Sequence, residues 1–140
     1  MKNKLFYILI LFFLTSAVNA ENLIIESKNI SLDKKKELSI FEGDVVITTP
    51  ENKIIKSDYA EYNKKKGIII LKNNIVATDV KSNEIKTNYA EYNEEAKTLK
   101  TIGKTYIKTT ENYHLDGSNI YFDDLNKFIK SENLTTITDL

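Results

Sequence analysis

The sequence predicts an all-β fold, and two observations lead to that prediction. One is an internal repeat of about thirty residues, and the other is an alternation of apolar and polar residues within each repeat. The alternating segments are rich in β-branched and aromatic residues, as is typical of half-buried strands. No segment sustains the period of an amphipathic helix. The apolar sides of such strands can close on one another as two sheets or as one rolled sheet.

The repeat is clearest in two segments that lie thirty residues apart. Residues 55–63 read IKSDYAEYN and residues 85–93 read IKTNYAEYN, so the differences are Ser for Thr and Asp for Asn. The same offset finds weaker copies at residues 25–33 and 115–123. Four copies in one register predict stacked units of supersecondary structure.

Each repeat has a second half with a central Gly or Asn. These second halves begin near residues 38, 68, 98 and 128, and the central residues are Gly43, Asn73, Gly103 and Asn133. Because Gly and Asn adopt positive φ most readily, we expect a bulge or sharp bend at each. In the first halves, the apolar residues also switch from odd-numbered to even-numbered positions along the strand. This switch predicts bulges near Ser57–Asp58 and Thr87–Asn88.

Polar turns join the halves at matching positions, residues 33–37, 63–67, 93–97 and 123–127. The first two contain lysine triplets, whereas the third contains Glu94-Glu95 and the fourth Asp123-Asp124. The simple interpretation is a set of solvated turns. The alternative is a basic edge and an acidic edge on the two ends of the stack, which would favour head-to-tail contact.

The N-terminus has the pattern of a secretory signal. Lys2 and Lys4 precede an apolar run from Leu5 to Leu14, and small residues lead to Ala20, so we expect cleavage after residue 20 and a single domain over residues 21–140. The alternative is an uncleaved anchor, although the run is shorter than the roughly 20 residues of a spanning helix. Loss of Lys2 and Lys4 leaves 18 lysines against 20 acidic residues, so no nucleic-acid partner is expected.

The residues give little support for catalysis. His114 is the only histidine, there is no cysteine, and no Ser or Gly cluster resembles a nucleophile elbow or a phosphate loop. Glu61 and Glu91 occupy equivalent strand positions, but the other two copies have Ser31 and Tyr121 there, which fits a solvated face. We therefore expect no enzyme, no metal and no cofactor. The apolar interior is either a filled core or a lined groove, and periodicity alone leaves both open.

The chain resembles a known family. GDVVI at residues 43–47, IKSDYAEYN at residues 55–63 and Gly67 followed by an Ile-rich strand resemble the OstA-like domain family of lipopolysaccharide transport. The resemblance covers nearly all of residues 21–140. It implies a β-jellyroll, an open rolled antiparallel sheet, in a protein of the periplasm.

The resemblance also implies a ligand and partners. The ligand would be lipopolysaccharide, with the lipid A acyl chains in an apolar groove. The partners would be related jellyroll domains of the inner- and outer-membrane components, with a head-to-tail homo-oligomer as a further possibility. The terminal strands, residues 23–32 and 127–138, would form the joints. The groove-lining residues that it implies are Val45, Ile47, Tyr62, Ile69, Leu71, Ile75, Ala77, Tyr92, Leu99, Ile107 and Phe122.

Two alternatives accompany this interpretation. The first is a membrane-anchored partner of the same jellyroll class, which retention of residues 1–20 would favour. The second is a structural β-solenoid of the cell envelope with a solid interior and no ligand.

Overall fold

The computed structural model describes residues 22–139, and within that range the regular elements are β-strands. They are β1 (Ile24–Glu26), β2 (Asn29–Asp33), β3 (Leu38–Thr48), β4 (Ile54–Asn63), β5 (Ile68–Thr78), β6 (Glu84–Asn93), β7 (Thr98–Thr101), β8 (Lys104–Lys108), β9 (Tyr113–Ser118), β10 (Ile120–Asp123), β11 (Phe128–Ser131) and β12 (Thr136–Asp139). The all-β prediction is confirmed. The predicted signal peptide, residues 1–20, lies outside the described residues.

The described residues contain no helix that is long and apolar enough to cross a membrane.

The strands form one antiparallel sheet that follows the order of the chain. The long strands β3 and β4 pair from Leu38 with Asn63 to Thr48 with Ile54. Strands β4 and β5, and then β5 and β6, pair in the same manner. Farther along, each long strand is broken in two: β7 and β8 both pair with β6, β10 pairs with β7, and β9 pairs with β8.

A bend crosses the sheet near the middle of each long strand. On β3, two residues, Gly43 and Asp44, lie opposite one residue of β4, and their φ angles are 76° and 49°. On β5 the same bulge occurs at Asn73 and Asn74, with φ angles of 65° and 50°. Gly103, with φ of 83°, separates β7 from β8. The bends predicted at these Gly and Asn residues are confirmed, because such residues adopt the left-handed conformation at low cost.

Two details of the predicted bends need correction. The buried side changes between Ser57 and Ala60 on β4 and between Thr87 and Ala90 on β6, as predicted, but the extra residue lies on the neighbouring strands β3 and β5. The left-handed conformation there falls on Gly43, Asp44, Asn73 and Asn74, whose residue types adopt it at lower cost than Ser or Thr. Asn133 does not have positive φ; the chain leaves the sheet between β11 and β12 instead.

The bend divides the sheet into two layers. The first layer contains β2, residues 38–42, 59–63, 68–72 and 89–93, and β7, β10 and β11. The second layer contains β1, residues 45–48, 54–57, 75–78 and 84–87, and β8, β9 and β12. Ile69 and Leu71 of the first layer and Val45 and Ile47 of the second are all 0% exposed and belong to one core. Such burial requires that the layers pack face to face.

Towards the C-terminal end, the inside of the bend is polar. Thr105 donates its hydroxyl to Oγ1 of Thr101 at 2.7 Å, and that oxygen accepts the backbone N–H of Ile120 at 3.0 Å. Thr101 and Thr105 are both fully buried, and these bonds satisfy them. Hydrogen bonds therefore support the bend here, whereas apolar packing supports it near β3 and β5.

Two features of the sheet position the site. Hairpin turns at residues 34–37, 64–67, 94–97 and 124–127 form the outer margin of the first layer, and turns at residues 49–53, 79–83 and 109–112 form that of the second. The sheet has two edges: β1 and β2 pair only with β3, while β11 pairs only with β10 and β12 only with β9. The interior can thus be reached at the margins or at the edges.

Candidate functional site

An open cleft of about 320 Å³ lies between the two layers, near their outer margins and towards the C-terminal edge. Its apolar walls are Ile55, Ala77, Ile85 and Ile107 of the second layer and Tyr92, Leu99, Phe122, Phe128 and Ile129 of the first. Its rim is polar and includes Thr49, Lys53, Asp79, Asn83, Lys97, Asp124 and Lys127. Apolar walls with a few polar groups at the entrance are typical of ligand-binding clefts.

The cleft walls belong to two rows of inward side chains that run across the whole sheet. The row of the second layer is Ile25, Ile47, Ile55, Ala77, Ile85, Ile107, Leu115 and Ile137, each opposite the next in the strand register. The row of the first layer is Leu32, Ser39, Tyr62, Ile69, Tyr92, Leu99, Phe122 and Ile129. We call these the two inner rows. Because side chains directly opposite one another in adjacent strands are in contact, each row is a continuous, almost entirely apolar surface.

Two ion pairs link the margins of the two layers at the mouth of the cleft. Lys53 Nζ lies 2.6 Å from Asp124 Oδ2, and Lys97 Nζ lies 2.7 Å from Glu51 Oε1. Glu51 and Lys53 belong to a turn of the second layer, whereas Lys97 and Asp124 belong to turns of the first. We call these four residues the clasp. Their side chains keep between 23% and 33% of their exposure, so the pairs are only partly withdrawn from water.

The clasp alters the ionisation of the groups around it. The hydrogen bond from Lys53 lowers the pKa of Asp124, against an opposing contribution from burial, and Lys127 at 2.9 Å lowers it further. Burial alone would raise the pKa of Glu51, but the hydrogen bond and the positive charge of Lys97 help to lower it overall. Both carboxylates are therefore charged at neutral pH.

Two tyrosines of the first layer remain neutral at physiological pH. Burial raises the pKa of Tyr92, and the carboxylates of Glu51, Glu94 and Asp124 raise it further. Burial also raises the pKa of Tyr62 to about 12, together with the hydrogen bond that its hydroxyl donates to Glu94 at 2.9 Å. Tyr92 lines the cleft, so an aromatic ring with a polar tip lies between the apolar wall and the charged rim there.

All eleven predicted lining residues lie on the interior face, but they divide into two groups. Ala77, Tyr92, Leu99, Ile107 and Phe122 line the cleft. Val45, Ile47, Ile69, Leu71 and Ile75 are 0–1% exposed in the filled part of the core, and Tyr62 packs against that core. One part of the interior is therefore a filled core, and another part is a lined cleft.

The prediction missed several residues of the cleft. Ile55 and Ile85 line it, and the match between their positions in the repeat could have identified them. Phe128 and Ile129 also line it, from strand β11 at the edge. No sequence pattern indicates the clasp, because its residues come from three different turns and only the bend of the sheet brings them together.

Elsewhere the described residues offer less suitable sites. A depression of about 530 Å³ lies beside Leu32 and Leu38, but exposed residues of two turns surround it, so it encloses a ligand poorly. His114 accepts or donates one hydrogen bond with the Tyr106 hydroxyl at 2.7 Å, and neither residue lines the cleft. No group of acidic or histidine side chains in the described part of the chain could hold a metal ion.

An antiparallel sheet folded into two layers, with an apolar cleft and a polar rim between them, is the kind of structure that binds an apolar ligand. The family model described as the LptA/(LptD N-terminal domain) LPS transport protein matches residues 24–138. The chain therefore belongs to this family of lipopolysaccharide transport proteins, as its resemblance to the OstA-like domains predicted.

A solved structure supports the fold. LptH of Pseudomonas aeruginosa, described as the LptA-homologous periplasmic component of the conserved lipopolysaccharide transport device, matches with a TM-score of 0.74 and 11% identity. The match covers 84% of this chain and 94% of LptH. A search of curated proteins gave no match. At this identity the structural likeness establishes the jellyroll fold alone, and the count of four repeats stays a prediction.

Proposed function

We propose that the protein carries lipopolysaccharide through the periplasm and shields lipid A acyl chains in the cleft between its layers. The observation that supports this most is the apolar cleft between the two inner rows, where Ile85 and Phe122 are only half-buried. Ala77, Tyr92, Leu99 and Ile107 complete the contact surface. The residues of the filled core, such as Ile47 and Ile69, support these walls from behind.

The free energy of hydrocarbon transfer explains why a cleft is needed. Each CH₂ group exposed to water costs about 0.8 kcal/mol, so a lipid with several chains cannot cross an aqueous space unshielded. Clefts that hold small molecules have volumes of roughly 300–1,000 Å³, and this one, at about 320 Å³, is at the low end. One domain would therefore cover part of a multi-chain lipid, and the remainder would need neighbouring domains.

The two edges of the sheet fit such neighbours. The outer sides of β1 and β2 at one edge, and of β11 and β12 at the other, have no strand partner in the described chain. Exposed apolar residues lie at both edges: Ile24, Ile30 and Leu32 at the first, and Phe128, Ile129 and Ile137 at the second. Edge strands add to other sheets through backbone hydrogen bonds. Such joining would extend the inner rows into related jellyroll domains of the inner- and outer-membrane components.

Charge favours the same arrangement between copies of this chain. The turns with the lysine triplets, residues 34–36 and 64–66, and the acidic turns at Glu94-Glu95 and Asp123-Asp124 share the margin of the first layer. The basic turns lie towards the β2 edge and the acidic turns towards the β11 edge. Head-to-tail contact would bring opposite charges together.

The charge hypothesis has its own test. Replacing Lys64, Lys65 and Lys66 by Gln should weaken self-association, as measured by analytical ultracentrifugation at low and high salt. Self-association that remains unchanged at every salt concentration would remove the electrostatic part of the proposal and leave the strand edges to explain it.

Site-specific photo-crosslinking tests the proposed cleft. Phe122 lines the cleft, whereas Lys100 on the adjacent strand β7 is exposed and does not line it, so the two provide a matched pair. A photo-reactive phenylalanine at position 122 should crosslink to lipopolysaccharide, and the same residue at position 100 should not. Both variants should unfold at the same temperature as the unmodified protein.

The alternative of a structural β-solenoid predicts a different result. In that case neither position would crosslink, and the purified protein would contain no lipid. The membrane-anchored alternative would give the same crosslinks but retain residues 1–20, which the mass of the mature protein would reveal.

A further inference from the structure

The clasp connects the two layers in a way that no other ion pair of the described chain does. The remaining pairs join residues that are close in sequence, such as Lys86 and Glu84, or that lie on adjacent strands, such as Lys72 and Glu61, and Lys28 between β1 and β2 pairs with Asp44 of the adjacent β3. Both clasp pairs instead start from one turn of the second layer and end on turns of the first. Three of the four clasp residues line the mouth of the cleft.

The turn that contains Glu51 and Lys53 is held rigidly. The backbone N–H of Asn52 donates to the carbonyl of Thr49 at 2.9 Å, and that of Lys53 donates to Thr49 Oγ1 at 3.2 Å. Thr49 is 2% exposed, and Asn52 adopts the left-handed conformation with φ of 59°. The two charges are therefore presented to the first layer by a preorganised support.

The equivalent turn thirty residues later has no clasp. Lys81 stands at the position of Glu51, and Asn83 stands at that of Lys53. Asn83 donates to Asp79 at 2.8 Å and accepts the backbone N–H of Thr110 at 3.0 Å, so it binds within its own layer. The repeat alone does not require cross-layer ion pairs. Among the second-layer turns that border the cleft, they occur at only one.

The closed clasp is also incompletely satisfied. Within the described residues 22–139, Glu51 Oε2 is buried and has no hydrogen-bond partner, although Oε1 of the same carboxylate binds Lys97. A buried carboxylate oxygen without a partner makes the closed arrangement less favourable. Because the pairs are also partly exposed, they can separate without the loss of a buried charge pair.

We propose that the clasp is a gate that controls the entry of acyl chains into the cleft from the side. This proposal rests on the proposed function, because it regulates the same site. In the closed state, Lys53–Asp124 and Lys97–Glu51 hold the margins together over a cleft of small volume. Separation of the pairs parts the margins, so that a chain can slide between the inner rows while its headgroup stays outside.

A cleavable covalent lock tests the gate. The chain has no cysteine, so the double variant Lys53→Cys/Asp124→Cys can be joined by a bis-maleimide linker that contains a disulfide. Stopped-flow fluorescence then measures how fast dansyl-undecanoic acid, a single-chain probe, enters the protein. The linked form should bind at least tenfold more slowly than the unlinked form, and reduction should restore the fast rate.

Charge variants provide the complementary measurement. The variant Lys53→Gln/Lys97→Gln should bind the probe several-fold faster than the unmodified protein, and the charge swap Lys53→Asp/Asp124→Lys should return the rate towards the original value. Lys86→Gln, which removes an ion pair on the outer face, should leave the rate unchanged. Higher salt should increase the rate at which the unmodified protein binds the probe and should have little effect on that rate in the clasp variants.

The outcomes separate the gate from the function on which it rests. Equal rates in the linked and unlinked forms, with the probe bound in both, would overturn the gate and leave the cleft intact. If no form binds either the probe or lipopolysaccharide, the proposed function fails and the gate fails with it.

Discussion

The two inner rows have different surroundings in two regions of the molecule. Across β3 to β5, Ile47 and Ile69 are 0% exposed, and the layers fill the space between them. Across β6 to β10, Ile85 and Phe122 stay partly exposed around the cleft. The apolar period is the same in both regions. It determines which face points inwards, whereas the packing of the opposite layer determines whether that face is filled or open.

Truncation should affect stability most in the filled region. Leu71→Ala removes a fully buried side chain and should lower the free energy of unfolding by about 2–5 kcal/mol. Ile85→Ala, at the partly exposed wall of the cleft, should cost clearly less, because the loss of packing is smaller. Urea denaturation of both variants measures the difference. Equal losses would mean that the cleft is as tightly packed as the core in solution.

Replacing a small residue by a large one should affect ligand binding in the cleft and stability in the filled core. Ala77→Phe places a ring in the cleft and should reduce the affinity for an acyl probe about tenfold or more with little loss of stability. Ala60→Phe, at a 0% exposed position of the core, should overpack it and destabilise the protein by about 1–3 kcal/mol. Probe titration and thermal unfolding separate the two effects. Full binding by a folded Ala77→Phe variant would place the ligand elsewhere.

Acid should remove the stabilisation that the clasp gives to the fold, and this effect should be smaller than those of the core substitutions. Glu51 and Asp124 have lowered pKa values in the folded protein, so their stabilisation is present above their ordinary values of 4.5 and 3.8 and is lost as the pH falls through the folded values. Because the pairs are partly exposed, together they should contribute about 1 kcal/mol. Unfolding measured between neutral pH and about pH 3 should show a shallower decline in the variant Lys53→Gln/Lys97→Gln. An identical decline in both proteins would show that the clasp does not stabilise the fold.

Much of the fold follows from local sequence. The alternation of residues 45–47 and 69–71 identifies the inward face, and Gly43, Asn73 and Gly103 identify the bend, because both signals depend on backbone and side-chain preferences at a single strand. Asn133 shows the limit of that inference. It lies between β11 and β12, each of which pairs with another strand on one side only, so little there enforces a regular bulge.

The candidate site was less predictable for a different reason. Leu99 and Ile107 occupy inward positions of the alternating pattern, as Ile47 does. No local feature distinguishes a residue of the cleft wall from a residue of the filled core. That distinction depends on the distance from the residue to the opposite layer, and this distance is a property of the whole rolled sheet. The clasp depends on the same long-range geometry, since Glu51 and Lys97 meet only when the bend brings two margins together.

Methyl NMR with a spin-labelled acyl chain tests the contrast between the two regions most directly. In protein labelled at the methyl groups of Ile, Leu and Val, the chain should broaden the resonances of Ile55, Ile85, Leu99 and Ile107 and leave those of Val45 and Ile47 much less affected. Broadening confined to exposed residues such as Ile30 and Leu134, with the cleft methyl groups unchanged, would contradict the account.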